Sequence, residues 1–470
     1  MEIPFVGGAY EGRSKELNAQ RSINLIPVVD QQDAKNIVAM YGSPGNTEFS
    51  APATTAVVRA MHVMGSKLYA VVGAVVYEIA TTGVATSLGS ITTSTGLVSM
   101  DDNGTQVLIV DGTTSGYIAT TETLTAIADA DYPALVTCKF FDGYFIGNEI
   151  NTGKVYISGL YDGTSWDALE YATAEASPDN LVCLSSTKQN VWMLGVNSTE
   201  VYYNSGNTDF PFARVPGAVT NIGCAAAGSP SLVKERIYWL TDKGTVARSL
   251  GYSFETVSTK GIEYQISTYG TISDAQGFYY ILEGRYFYVL SFPTEGKTWV
   301  LDVDTLFWHE WQSLTGSTAG MFRGNCSAEF VGKMLVGDRA TGQVHELSMS
   351  VYTDGGLNIR RIRRTQVLFK EVLWVVHALV EIDFQSGVGL DVDEGTDGYD
   401  PQVLLQWSDD GGNTWSTGWS VSLGKFGEFN KRQRWLQLGQ SRNRIYQVTI
   451  ESPVEVVMLA GYGDLIASNG

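Results

Sequence analysis

Residues 67–79 read Lys-Leu-Tyr-Ala-Val-Val-Gly-Ala-Val-Val-Tyr-Glu-Ile. Leu68, Val71 and Val72 precede Gly73, and Val75, Val76 and Ile79 follow it. Tyr69 and Tyr77 place an aromatic ring on each arm. Apolar, β-branched and aromatic residues on both sides of a glycine predict two short strands joined by a tight turn. A lone hairpin is marginal in water, so this one needs neighbours.

The chain repeats the unit. Residues 106–118, 143–158, 190–203, 236–247, 277–302 and 333–347 carry similar hairpins, among them Val-Trp-Met-Leu at 191–194 and Ile-Tyr-Trp-Leu at 237–240. With Leu68, Val107, Tyr144, Val191, Ile237, Tyr286 and Met334 as markers, the steps are 39, 37, 47, 46, 49 and 48 residues. A strand-built unit of about 40–50 residues suits a β-propeller blade, a four-stranded sheet that buries both faces when blades stack in a ring. The markers predict six or seven blades, because 277–311 reads as one blade or as parts of two.

A chain of 470 residues has room for such a domain and a second one. Fifty-one Gly against 12 Pro suit many short strands and tight turns, so the fold class is all-β. The best helix candidates are short, at 15–19 and 167–176. Residues 1–50 read as an irregular lead-in packing on the first or last blade. Residues 51–354 read as the propeller, with a surface insertion near 160–180. Residues 355–470 carry strand patterns at 367–376, 378–384, 402–407, 419–423, 435–438, 445–450 and 454–459, which predict a C-terminal β-sandwich.

The net charge is −19. Residues 355–470 hold 11 Lys+Arg and 14 Asp+Glu, giving −3; the first 354 residues hold 20 and 36, giving −16. A surface of that sign repels phosphate backbones, which argues against ordinary nucleic-acid binding but not against a channel that DNA slides through without sticking. Cys138, Cys183, Cys224 and Cys326 lack metal-type spacing and read as buried, unpaired thiols. The first residues lack a secretory pattern, and the longest apolar run, 372–380, is too short to span a bilayer. The expectation is synthesis and retention in a reducing cytoplasm before assembly.

Residues 408–415, Ser-Asp-Asp-Gly-Gly-Asn-Thr-Trp, match the S-x-D-x-G-x-T-W Asp-box of sialidase-like propellers and other β folds. Asp410 is placed to accept backbone N–H groups across the turn, Gly412 to take positive φ and Trp415 to pack under the hairpin. This marks a stabilised turn, not chemistry. Glu310 and Glu346, each beside a histidine, are the acids a glycosidase reading would use, but the Arg-containing start motif of sialidases is missing and carboxylates are too many to single out a pair. Asp391, Asp393 and Asp397 hint at Ca²⁺ ligands, yet the spacing departs from an EF-hand and reads as a solvated acidic loop. Arg360, Arg361, Arg363 and Arg364 form the one basic run, without the interleaved aromatics of a DNA binder, and are expected to make ion-paired contacts with an acidic neighbouring subunit. His62, His309, His345 and His377 are scattered, without metal spacing. The site assignment is therefore none: no catalytic, cofactor or metal residues.

Three stretches together resemble the tail nozzle, or packaged-DNA stabilisation, proteins of short-tailed bacteriophages. They are the opening Asn18-x-Gln20-Arg21-x-Ile23-Asn24-Leu25-x-Pro27 with Ser43-Pro44-Gly45, the hairpin series, and Arg434-Trp-Leu-Gln-Leu-Gly439 leading to Arg442-x-Arg444-Ile-Tyr-x-Val-Thr-Ile450-x-Ser-Pro453. The resemblance implies a structural virion part rather than an enzyme. Its members form a six-copy ring below the portal and a ring of adaptor proteins, close or extend the DNA channel, and present sites for tail fibres, tailspikes or a plug. It carries over no site residues; Arg21, Asn24 and Arg444 read as structural. The other classes left open are a carbohydrate-binding or glycoside-hydrolysing propeller, prompted by 11 Trp and 24 Tyr, and a free-standing interaction propeller.

Overall fold

The computed structural model describes residues 1–9, 11–29, 38–174, 177–207, 210–371 and 373–468. Residues 58–348, together with the strand Gly45–Ser50, form seven four-stranded antiparallel sheets in a ring. Blades 1 to 5 span 58–90, 99–126, 135–173, 181–220 and 231–256, and blade 6 spans 276–310. Each of the seven sequence markers falls in the second strand of its blade, beginning with Leu68 in Lys67–Val72 and ending with Met334 in Lys333–Asp338. The blade count is therefore seven, and residues 276–310 make one blade.

Blade 7 closes the ring with a strand from the other end of the chain. Its first three strands are Gly324–Phe330, Lys333–Asp338 and Val344–Ser348, and its fourth is Gly45–Ser50. Gly45 enters this strand under the Val351 carbonyl, where an added Cβ would lie 2.3 Å from that oxygen, so a side chain is excluded. Asn325 Nδ2 donates to the Val58 carbonyl at 2.9 Å and ties blade 7 to blade 1.

The second domain is a two-sheet sandwich. One sheet runs Arg21–Ile23, Arg361–Arg364, Asn443–Ile450, Gln402–Ser408 and Trp419–Ser422. The other runs Leu25–Val29, Val38–Gly42, Val457–Ser468, Trp374–Phe384 and Gln433–Leu436. Ile3, Phe5, Leu25, Met40, Val380, Trp435, Tyr446 and Val448 are buried between them. The first sheet runs on into blade 6, because Ile23 pairs in parallel with Glu310 on that blade's outer strand.

Several expectations are corrected. Residues 1–50 are no irregular lead-in: they supply three sandwich strands and the closing strand of blade 7. Residue 10 and the polar stretch 30–37 lie outside the described residues. Residues 160–180 hold neither an insertion nor a helix in their described part; Asp162–Thr173 is the long outer strand of blade 3, bulged where it pairs with Lys154–Gly159. Residues 15–19 form a turn in which Leu17 and Asn18 donate to the Ser14 carbonyl. The one helix among the described residues is Lys260–Ser267, capped by Thr259 and anchored by Ile262 and Ile266, one turn apart. The strands expected at 367–376 and 378–384 are instead a short Leu368–Phe369 and a continuous Trp374–Phe384, with an irregular register near His377.

Candidate functional site

Two places bring charged and polar side chains together: the propeller's central channel and the junction of the two domains. The inner strands of all seven blades line the channel. Its cavity volume is about 490 Å³, the scale of a small-molecule pocket. The channel's charges pair locally. Lys139 Nζ lies 3.6 Å from Asp101, and Arg59 is spent on the carbonyls of Gly73, Thr93, Thr95 and Gly96.

Beside Asp101, His62 Nε2 meets Asp102 Oδ2 at 2.7 Å. Together with Asp101 these are the one His/Cys/Asp/Glu group among the described residues whose ligand atoms gather closely enough for a metal ion. Sequence spacing does not reveal it, since the residues are 40 positions apart and meet only through adjacent blades. Their carboxylates already have partners: Asp102 accepts the Gly104 N–H at 2.7 Å, and Asp101 accepts the N–H groups of Asp102 and Phe140. Hydrogen bonds from His62 and Gly104 hold Asp102 below its ordinary pKa against the opposing effect of burial.

The junction is built on the opening motif. Arg21 Nη2 donates to Glu310 Oε2 at 2.6 Å, and Nε to the same oxygen at 2.9 Å. Glu310 is 1% exposed and also meets Lys297 at 3.3 Å and Gln312 at 2.6 Å. Burial raises the pKa of its carboxyl, but Arg21 and Lys297 outweigh that and hold it low. Asn24 is where the chain steps from one sandwich sheet to the other. Its φ of +53° is a conformation asparagine tolerates better than most residues. Its side-chain Nδ2 donates to the carbonyls of Gln312 and Arg360, and its Oδ1 accepts the Gln312 N–H. One residue thus fastens blade 6 to the sandwich.

The basic run lies mostly inside the chain and not on its surface. Arg361, Arg363 and Arg364 are buried, and only Arg360 reaches the surface, near Glu451 at 3.4 Å. Arg363 donates to the carbonyls of Phe5 and Gly8, holding the N-terminal segment on the sandwich. Burial pushes both Arg361 and Arg363 down to about 10.

The Asp-box hairpin behaves as its sequence implies. Asp410 accepts the backbone N–H groups of Asn413 and Thr414 and the Thr414 hydroxyl, while Gly412 sits at φ +87° and donates to Ser408 Oγ at 2.8 Å. These bonds hold Asp410 well below the usual carboxylate range. Trp415 lies under the Arg364 guanidinium, 4.8 Å from it. Arg444 then grips the hairpin from below, with a bidentate pair to Asp409 at 2.6 and 2.7 Å.

The acids of the glycosidase reading are committed elsewhere, Glu310 in the junction and Glu346 to Lys333 on blade 7. Asp391, Asp393 and Asp397 lie on an exposed loop, where Asp397 accepts from Asn358, and do not gather as ligands. His309 is fully buried against Phe287 with neither nitrogen hydrogen-bonded, and burial lowers it to about 3. His377 bridges Tyr446 and Ser441. The four cysteines are free, with Cys183 and Cys224 in contact at 3.8 Å between blades 4 and 5. Seven of the 11 Trp are buried, as strand residues facing a core are.

The structure is thus a closed propeller fused to a sandwich, with ion pairs at the joints between blades and domains. The chain belongs to the bacteriophage P22 Gp10 family, the tail nozzle or packaged-DNA stabilisation family of short-tailed phages. The family model described as the P22 Gp10 beta-propeller matches residues 1–352, and that described as its beta-sandwich matches 360–462. No curated protein matches the chain. Among solved structures it is similar to the WD40 beta-propeller domain of Doa1, at 11% identity and a TM-score of 0.42 over 65% of this chain and 97% of that one. It is also similar to the computationally designed Ika8 protein, at 13% identity and a TM-score of 0.39 over 73% and 99%.

Proposed function

We propose that this protein is the tail nozzle of a short-tailed phage: a homohexameric ring that extends or closes the DNA channel below the portal and adaptor proteins, retains packaged DNA until ejection, and anchors tail fibres or tailspikes. The observation that carries this reading is the match of both family models, in order, across nearly the whole chain. The charge of the molecule supports it. A ring with −16 on the first 354 residues of each copy offers DNA a repelling wall, whereas each neutralised phosphate would add affinity and slow ejection. The small volume of each propeller's own channel supports a genome path between copies, not through a blade ring.

The test is electron microscopy of the purified protein, alone and mixed with portal and adaptor proteins, together with a DNA mobility-shift assay at low salt. Rings that cap the adaptor and leave DNA unshifted agree with the proposal. A monomer under all conditions, a basic ring bore, or release of reducing sugar from a glycan overturns it.

A further inference from the structure

We propose that Arg361 heads an oxyanion site at the propeller–sandwich junction and that its occupant is a carboxylate. The site is a cavity of about 250 Å³ between the two domains, lined by Tyr41, Gly42, Glu283, Tyr352, Arg361 and Glu455 among others. Arg361 is 1% exposed. Its Nε has no hydrogen-bond partner, and its Nη1 makes two long bonds of 3.3 Å to the carbonyls of Ile359 and Ser452. No carboxylate pairs with it among the described residues, in contrast to Arg21, Arg323 and Arg444. Gly42 backs the guanidinium so closely that a Cβ there would come within 2.7 Å of Nε, which fixes the cation at the cavity wall.

A buried, uncompensated guanidinium is costly, and a bidentate oxyanion removes that cost. The cavity is smaller than the usual range for drug-sized ligands, about 300–1,000 Å³, so it suits a small group with a few waters and excludes a nucleotide. Glu283 and Glu455 on the same walls repel a doubly charged phosphate more strongly than a singly charged carboxylate. The carboxylate comes either from a free anion or from an Asp or Glu of a second copy of this acidic chain.

The experiment follows thermal unfolding of the full chain in sodium acetate and in sodium chloride at matched pH and ionic strength, and self-association by sedimentation, for wild type, Arg361→Met and Glu455→Gln. With a free anion as occupant, acetate raises the wild-type unfolding temperature above chloride, R361M does not respond, and E455Q responds at lower acetate. With a second copy as occupant, R361M weakens self-association about tenfold, the scale of one charge-assisted hydrogen bond, and E455Q tightens it. If R361M does not fold, E455Q alone decides. The proposal is overturned if acetate acts only as ionic strength and association is unchanged, or if E455Q matches wild type in both readouts.

Discussion

Arg21 and Glu310 are 289 positions apart in the chain, yet their side chains close to 2.6 Å where the sandwich sheet joins blade 6. Glu310 is almost wholly buried, so its charge depends on that partner. Arg21→Met is expected to destabilise the protein by about 3 kcal/mol, the lower end for breaking a buried pair because Lys297 remains. Arg21→Met combined with Glu310→Gln is expected to recover most of that loss. Urea denaturation of the two variants measures both, and equal losses would remove the charge argument.

Asn24 contributes through its backbone and its side chain, and the two separate by mutation. Asn24→Gly keeps the positive φ and loses three side-chain hydrogen bonds. Asn24→Ala also strains the backbone by about 1 kcal/mol more. Both are expected to loosen the domain junction, with Ala the worse. Limited proteolysis checks this: cleavage is expected to separate the two domains in both variants, faster in Ala.

Acid is expected to destabilise the fold from pH 6.5 downward. His309 is lowered from 6.5 to about 3, and His377 to about 4, both chiefly by burial. Below pH 6.5 the unfolded chain binds protons at these positions while the folded one does not. Their contribution is therefore complete above pH 6.5 and falls away as pH drops toward 4 and then 3. His309→Phe keeps an aromatic ring beside Phe287 and removes the titration. Its unfolding temperature is expected to fall less steeply than that of wild type between pH 6.5 and 4.

Asp410 works on a surface turn, so its loss is expected to act locally. Asp410→Ala frees the N–H groups of Asn413 and Thr414. Hydrogen exchange at 408–415 is expected to accelerate, with blade and sandwich-core amides unchanged.

The repeat was legible because it is local. Each marker opens a buried second strand flanked by its own hairpin partner, so period and composition alone betray it. The Asp-box was legible for the same reason: its bonds stay within residues 408–414. What stayed hidden depends on distant pairing. Gly45–Ser50 reads as loop because its ladder partner is Val344–Ser348, almost three hundred residues on. The Arg361–Arg364 run looks like a surface patch until its strand is set between Arg21–Ile23 and Asn443–Ile450, which buries it. His62 and Asp102 come together only when two blades stack. The helix Lys260–Ser267 is too short to show a period, with only two apolar anchors.

The strand Gly45–Ser50 also sets a timetable. During synthesis it leaves the ribosome long before Val344–Ser348 exists to receive it. At about 5–20 residues per second, the delay is roughly 15–60 s. Blades 1 to 6 have their strands in consecutive order and are free to fold as they emerge, while the opening segment waits unpaired. Closure therefore waits on the last strands of the chain: a polypeptide truncated before residue 344 leaves the ring open, with unpaired strand edges at its seam.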